Sequence, residues 1–225
     1  MKALLTPNPD RAFHGALWLG LSFLLVWSYV GCHDRFTWLL EVAPIFIGSA
    51  ILLAVYERFR FTRLVCWLLW LHTIVLLVGG HYTYAEVPPG NWLRDAFHLS
   101  RNHYDRLGHF FQGFVPAMVA REILLRKGVL KRGGWLFFIV ACVCLAISAS
   151  YELFEAYTAM LTGGKADAFL GSQGDPWDTQ WDMTYALIGA VTALLSLNKT
   201  HDGQLAGLAP STPCEQPPQG SSLSA

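Results

Sequence analysis

Six stretches of this chain are apolar over the length that a helix needs to cross a bilayer, and charges gather mainly between them. They cover about 13–30, 38–56, 64–80, 107–125, 135–153 and 183–197. A span needs about 20 mostly apolar residues, because each helical residue rises about 1.5 Å through a hydrocarbon core about 30 Å thick. In lipid every backbone group must find its partner inside the segment, so such stretches become helices. The pattern predicts an all-α fold, a polytopic transmembrane bundle of about six helices. The segments from Leu107 and Met183 are the most polar, and the last is short unless 179–182 belong to it.

Composition agrees: of 225 residues, 53% are hydrophobic and 14% charged, so the lipid bilayer is the expected surroundings. Residues 1–202 read as one integral membrane domain, and 203–225, rich in Pro, Ser and Gly, as a disordered cytoplasmic tail. A net charge of zero gives no reason to expect a nucleic-acid partner. Lys2 and Arg11 precede the first apolar run as in a signal peptide, but the run is too long for one and further spans follow. Several of the nine Trp (Trp38, Trp92, Trp135, Trp177 and Trp181) stand near segment ends, where an interfacial belt would place them. The five Cys form no disulfide or metal pattern; Cys66, Cys142 and Cys144 lie within apolar runs as packing residues. Nothing in the spacing specifies an oligomeric state.

Basic residues set the orientation. Arg58, Arg60 and Arg63 crowd the second loop, and Arg126, Lys127, Lys131 and Arg132 the fourth. Short basic loops stay in the cytoplasm, which puts both termini there too. Arg94, Arg101 and Arg106 in the long third loop are offset by Glu86, Asp95 and Asp105. Arg121 and Glu122 read as an anchor at the cytoplasmic interface. Within the third loop, 92–99 has the pattern of a short surface helix, and the fifth loop, 162–181, should be irregular.

Because the chain reverses direction at each span, three acidic clusters fall at one outward-facing end. Asp105 and His109 are four apart and share a helix face, with His103 and Arg106 beside them. Such a pair can ligate a divalent metal, or the carboxylate can orient a general base. Asp105 could also simply cap its helix. Glu152 and Glu155 follow the fifth apolar run, with Glu155 the more easily solvated of the two. Asp175, Asp178 and Asp182 precede the last run, where Asp178 could act as a cap but Asp182 would lie within the first turn. His81 and Glu41 reach the same end. Ionisable groups in spanning helices are costly and usually face a bundle interior or a wet cavity. A shared site is expected, with Glu152 and Asp105 as candidate catalytic groups, and His109, Asp178, Asp182 and His81 as candidate ligands. Mixed imidazole and carboxylate ligation suits zinc or manganese, and oxygen ligation alone suits magnesium or calcium. The expected substrate is a lipid or lipid-linked molecule. The alternative is a non-enzymatic membrane protein (a small transporter, a proton pathway or an envelope-stress accessory factor) whose polar cluster is a proton relay or a structural network.

Three runs carry a resemblance: Gly79-Gly-His-Tyr-Thr-Tyr-Ala-Glu-Val-Pro88, Arg101-Asn-His-Tyr-Asp-Arg-Leu-Gly-His-Phe110 with Gln112-Gly-Phe-Val-Pro116, and Gln173-Gly-Asp-Pro-Trp-Asp-Thr-Gln-Trp-Asp182. Together they resemble the YjdF family of bacterial inner-membrane proteins, a domain of unknown function. The resemblance implies a multi-pass protein of the bacterial inner membrane and no particular activity. A more distant likeness is to VanZ-like membrane proteins: Asp105-Arg-Leu-Gly-His-Phe110 resembles their Asp-Lys-x-x-His-Phe helix start. Glu152 or Glu155, and Asp178 or Asp182 with Ala186-Leu-Ile-Gly189, resemble the later elements. The Gln and Asn that often follow those VanZ acids are absent here.

Overall fold

The computed structural model describes residues 9–163 and 167–208, and among these no strand is present. Six long helices correspond to the six apolar stretches: α1 (Pro9–Tyr29), α2 (Arg35–Val55), α3 (Arg63–Tyr82), α5 (Tyr104–Arg126), α6 (Gly134–Thr162) and α8 (Asp178–Ser196). Three short ones are α4 (Pro88–Phe97), α7 (Asp167–Leu170) and α9 (Asn198–Ala206). By length and composition α1, α2, α3 and α6 can cross a membrane; α5 and α8 are long enough but too polar to qualify.

The two polar helices are the centre of the bundle. α5 and α8 make the most extensive helix–helix contact, while α3 and α6 flank α5 and α1 and α2 pack on α3. The close approach depends on two glycines. A Cβ on Gly113 would lie 1.7 Å from the Ala186 carbonyl oxygen, and one on Gly189 2.0 Å from that of Phe110. Small residues of this kind let membrane helices touch backbone to backbone, where dispersion and weak polar contacts replace the hydrophobic effect. Below the crossing, Ala117, Met118, Ala190, Ala193 and Leu194 pack with Val65, Leu136 and Val140 into a buried apolar core. Exposed apolar side chains such as Leu19, Phe23 and Leu195 point outward, as lipid contact requires.

Several boundaries differ from expectation. α6 continues nine residues past Leu153, because no helix breaker intervenes before Gly163, which takes a positive φ of 61°. At 29 residues it is about 43 Å long and overshoots a core of about 30 Å. α4 occupies the place of the expected surface helix, begun by Pro88 at its first turn. Among its described residues the fifth loop contains a helical turn, α7, and its end, 178–181, is the first turn of α8. Helix α9 extends to Ala206, so 203–206 are helical. The rest of the expected tail with Cys214 (209–225), the N-terminal Lys2, and Lys165 lie outside the described residues. Among the proposed interfacial Trp, Trp38 is instead buried: its indole N–H donates to Ser28 Oγ at 2.9 Å.

Candidate functional site: a buried acidic centre

Asn102 builds the acidic end by knotting three segments. Its side-chain amide donates to the Val87 carbonyl (3.0 Å) and to Asn91 Oδ1 (2.9 Å), while its Oδ1 accepts from the Tyr104 backbone N–H (3.0 Å). Its own backbone exchanges two hydrogen bonds with the Gln173 amide, at 3.0 and 2.9 Å. The start of α5 is thus tied to α4 and to the loop before α8. Gly90 is obligatory beside it, since a Cβ there would come within 1.8 Å of Asn102 Oδ1. This knot supplies the N-terminal acceptor for α5, not Asp105. Similarly, α8 starts after Trp177 with no side-chain cap, so Asp178 is free for other work.

That work is ion pairing. Arg106 on α5 bonds to Asp182, to Asp178 Oδ1 at 2.8 Å and to Asp175 Oδ2 at 3.2 Å. Arg101 bonds to Asp178 Oδ1 at 2.5 Å and to the Gly171 and Ser172 carbonyls at 3.0 and 3.1 Å, and approaches Asp105 Oδ2 at 3.5 Å. Both guanidiniums are buried. Arg101 had looked like one of three balanced loop charges; it is a structural counter-ion, and no helical period or spacing in the sequence singles it out.

One turn further along α5, His109 faces α6 and α8. Its Nδ1 lies 3.0 Å from Gln112 Oε1. With the amide so oriented that oxygen only accepts, so Nδ1 carries a proton. Nε2 is 3.5 Å from Asp105 Oδ1 and 3.7 Å from Asp182 Oδ1. A charged N–H to carboxylate bond would be about 2.7–2.9 Å, and neither contact is that short. Ligand atoms of Asp105, His109 and Asp182 all lie within 4.8 Å of one another, and all three residues are buried. Ligands at about 2.0–2.2 Å from a tetrahedral zinc stand about 3.3–3.6 Å apart, close to the spacing seen here. Glu152 Oε1 is 3.8 Å from His109 Nδ1 and buried without a hydrogen-bond partner.

Two more acids complete the centre. Glu41 on α2 interacts electrostatically with Asp105 and His109, and Glu155 with Glu152, Glu41 and Asp182. Both are buried, so Glu155 is not the solvated interfacial residue expected of it; α6 continues past it to Thr162, and a roof lies over this part of α6. That roof is α7, whose Phe169 packs on Tyr151 and Phe154 at ring separations of 6.2 and 6.0 Å. Six buried carboxyl groups (Glu41, Asp105, Glu152, Glu155, Asp178 and Asp182) therefore face two buried guanidiniums and one buried imidazole. Unpaired buried charge is very costly, so the excess acid must take up protons or a cation.

Two expected members lie elsewhere. His81 Nδ1–H donates to the Ser28 carbonyl (2.9 Å), and the ring stacks on Trp27 at 4.8 Å. It lines a neighbouring cavity of about 630 Å³ with His33, Thr83, Glu86, Gly171 and Gln173. His103 is exposed at the helix start. The cavity and the acidic centre share Gly171 as a wall, whose Cβ position is 3.7 Å from the Asp105 carboxylate.

The profile of a family described as "Predicted membrane protein (DUF2238)" matches residues 13–203, most of the chain. The chain belongs to the DUF2238 family. It is also 50% identical over 187 residues to "Inner membrane protein YjdF" of Escherichia coli (strain K12), covering 83% of this chain and 90% of that one. The match spans every DUF2238 segment that builds the acidic centre, from Glu41 through Asp182. With the apolar helices it makes this a multi-pass protein of the bacterial inner membrane. No solved structure matches.

Proposed function

We propose that the acidic centre is a divalent-metal site of a membrane-embedded hydrolase acting on a lipid or lipid-linked envelope substrate. The observation that carries this reading is the convergence of Asp105 Oδ1, His109 Nε2 and Asp182 Oδ1, with His109 Nε2 at 3.5 and 3.7 Å from the two carboxylates, too far for charged hydrogen bonds, while Arg106 donates to Asp182 from the side. In this reading Asp105, His109 and Asp182 hold the ion, with Arg106 sharing Asp182, and zinc or manganese fits the donor set. Such an ion polarises a phosphoryl or carbonyl oxygen and acidifies water. Glu152, with a buried unpartnered oxygen, is the general base: it takes the proton of the attacking water and returns it to the leaving oxygen. The adjoining cavity of about 630 Å³ would receive the polar head of the substrate. The short basic loops favour a cytoplasmic placement of the opposite end, which turns the centre outward.

A second reading treats the same groups as a proton relay or polar network. It draws on the pairing of Arg101 and Arg106 with Asp175, Asp178 and Asp182, which neutralises part of the acid without any metal. Here His109 would be an imidazolium between Asp105 and Asp182.

Elemental analysis of the detergent-purified protein, beside His109→Ala and Asp182→Ala, separates the two. Near one equivalent of zinc or manganese in the native protein, lost from both variants, is expected. Folded proteins that all lack transition metal, and gain no thermal stability from added zinc, manganese, magnesium or calcium, would leave the proton network as the better account.

A further inference from the structure

A second feature lies away from the acidic centre, in the lipid-facing half of the bundle. α1 and α2 both pack on α3 but make little contact with each other. Between them runs a cavity of about 250 Å³, floored by α3. Its length is apolar, walled by Leu17, Leu21, Ile45, Leu52, Leu69 and Leu76. Its end at the basic side of the protein is polar, with His14, Tyr56, Arg60 and Cys66.

We propose that this cleft binds one tail of an anionic phospholipid, with the phosphate held by Arg60 beside Tyr56 and His14.

Size and surroundings favour a single chain. Pockets for whole small molecules run from about 300 Å³ upward, and this one, at about 250 Å³, is smaller. Protein interiors close to near-crystalline density wherever their own side chains can fill the gap. Here they do not: a Cβ added to Gly48, on the α2 wall, meets no atom within 4 Å. In a bilayer the material at hand to fill an apolar gap between helices is lipid tail. Trp70 Nε1 and His72 Nε2 line the inner part of the cleft without hydrogen-bond partners. Trp70 sits about 10 Å along α3 from its basic start, at tail depth.

The mouth supplies the charge. Arg60 stacks over the Tyr56 ring at 5.0 Å and bonds Glu57 at 3.0 Å, yet its side chain remains 33% exposed. The Tyr56 hydroxyl lies 3.2 Å from His14 Nδ1. Arg126 and Lys127 stand over the adjacent Phe59 ring at 3.9 and 5.6 Å. A phosphate at this rim would meet Arg60 directly and the others at longer range. The surface field at a membrane favours such clusters for anionic lipid.

The test uses the full chain in nanodiscs and tryptophan fluorescence. Lipids brominated in mid-chain quench only indoles they touch, and subtracting the Trp70→Phe signal isolates Trp70. Dibrominated phosphatidylglycerol is expected to quench Trp70 at about fivefold lower mole fraction than dibrominated phosphatidylcholine, the factor that one basic side chain contributes. Arg60→Gln should erase that preference. Gly48→Leu, whose Cβ meets no atom within 4 Å on the cleft wall, should protect Trp70 from both lipids. Equal quenching by the two lipids in the native protein would reduce the cleft to ordinary boundary contact and overturn the proposal. So would unchanged quenching in Gly48→Leu. Metal content at the acidic centre should be the same in all these variants, so this result is separable from that of the hydrolase reading.

Discussion

The two ends of α5 carry two buried polar clusters of opposite character. At the basic end, Glu122 accepts from the Thr62 backbone N–H and hydroxyl, from Arg126 and from His201 Nε2, at distances from 2.7 to 3.2 Å. Arg121 donates to His201 Nδ1 at 2.7 Å and to Asp202 at 2.8 Å, and Arg132 reaches Asp202 at 2.9 Å. Both nitrogens of His201 are thus used, one accepting and one donating, and its ring is a neutral bridge. At the acidic end, His109 has one nitrogen matched and the other facing two carboxylates at 3.5 and 3.7 Å, with Glu152 Oε1 unpartnered beside it. Both acids of the first cluster are matched by guanidiniums, three against two; acid is in excess in the second. A satisfied network locks helices, whereas an unsatisfied one has capacity left for an ion, a proton or a substrate.

The largest expected effect breaks the locked cluster. Glu122→Ala leaves the buried Thr62 and His201 donors without their acceptor and takes the carboxylate from half-buried Arg126, and losing one partner of a buried pair costs about 3–5 kcal/mol. Reversible unfolding in mixed micelles should show that loss. A fall below about 1 kcal/mol would mean water enters the basic end and the contrast is false. The acidic end should respond the other way. Glu155→Gln keeps the shape and removes one excess acid, so in metal-free protein stability is expected to hold or rise by about 1 kcal/mol, the scale of one relieved pKa unit. A clear loss would show that the acids are already balanced.

Packing gives a smaller but sharper contrast. Gly189→Ala drives a Cβ to within 2.0 Å of the Phe110 carbonyl oxygen, and overpacking of this kind costs about 1–3 kcal/mol. Gly48→Ala, with nothing within 4 Å, should be neutral or slightly stabilising, since Ala is the better helix former. The same unfolding measurement ranks the pair. Comparable losses would place the helix contact somewhere other than the α5–α8 crossing.

The contrast was only half legible beforehand. Apolar run lengths marked all six long helices, and one-turn spacing put Asp105 beside His109 and Asp178 near Asp182. The reach of α6 to Thr162 was not, because 154–162 mixes apolar and polar residues that hydropathy treats as loop, while helix continuation needs only the absence of a breaker. Arg101 and Asn102 were invisible as site builders, since their partners lie about 70 residues away across the bundle. Because they flank the basic loop, Arg121 and Glu122 read from the sequence as interfacial anchors. Both are buried, as α9 folds back over them through His201, a residue beyond the last apolar run.

The smallest effect concerns the strap that makes this fold-back. Asp202 lies on α9, beyond the spanning segments. Burial works to raise its pKa, but hydrogen bonds and charges from Arg121 and Arg132 outweigh it and hold the carboxyl below its ordinary 3.8. A depressed folded pKa adds stability that is fully present above the unfolded value and fades as pH falls through the folded one. Docking of α9 should therefore be constant from neutral pH down to about 4 and loosen only below it. Hydrogen exchange at the α9 amides across that range reads this directly. Asp202→Asn should flatten the acid limb while leaving exchange in α5 and α8 near the acidic centre unchanged. If the Asn variant instead loosened both ends of α5 together, the two clusters would be one cooperative unit, and the division into a lock and a site would fail.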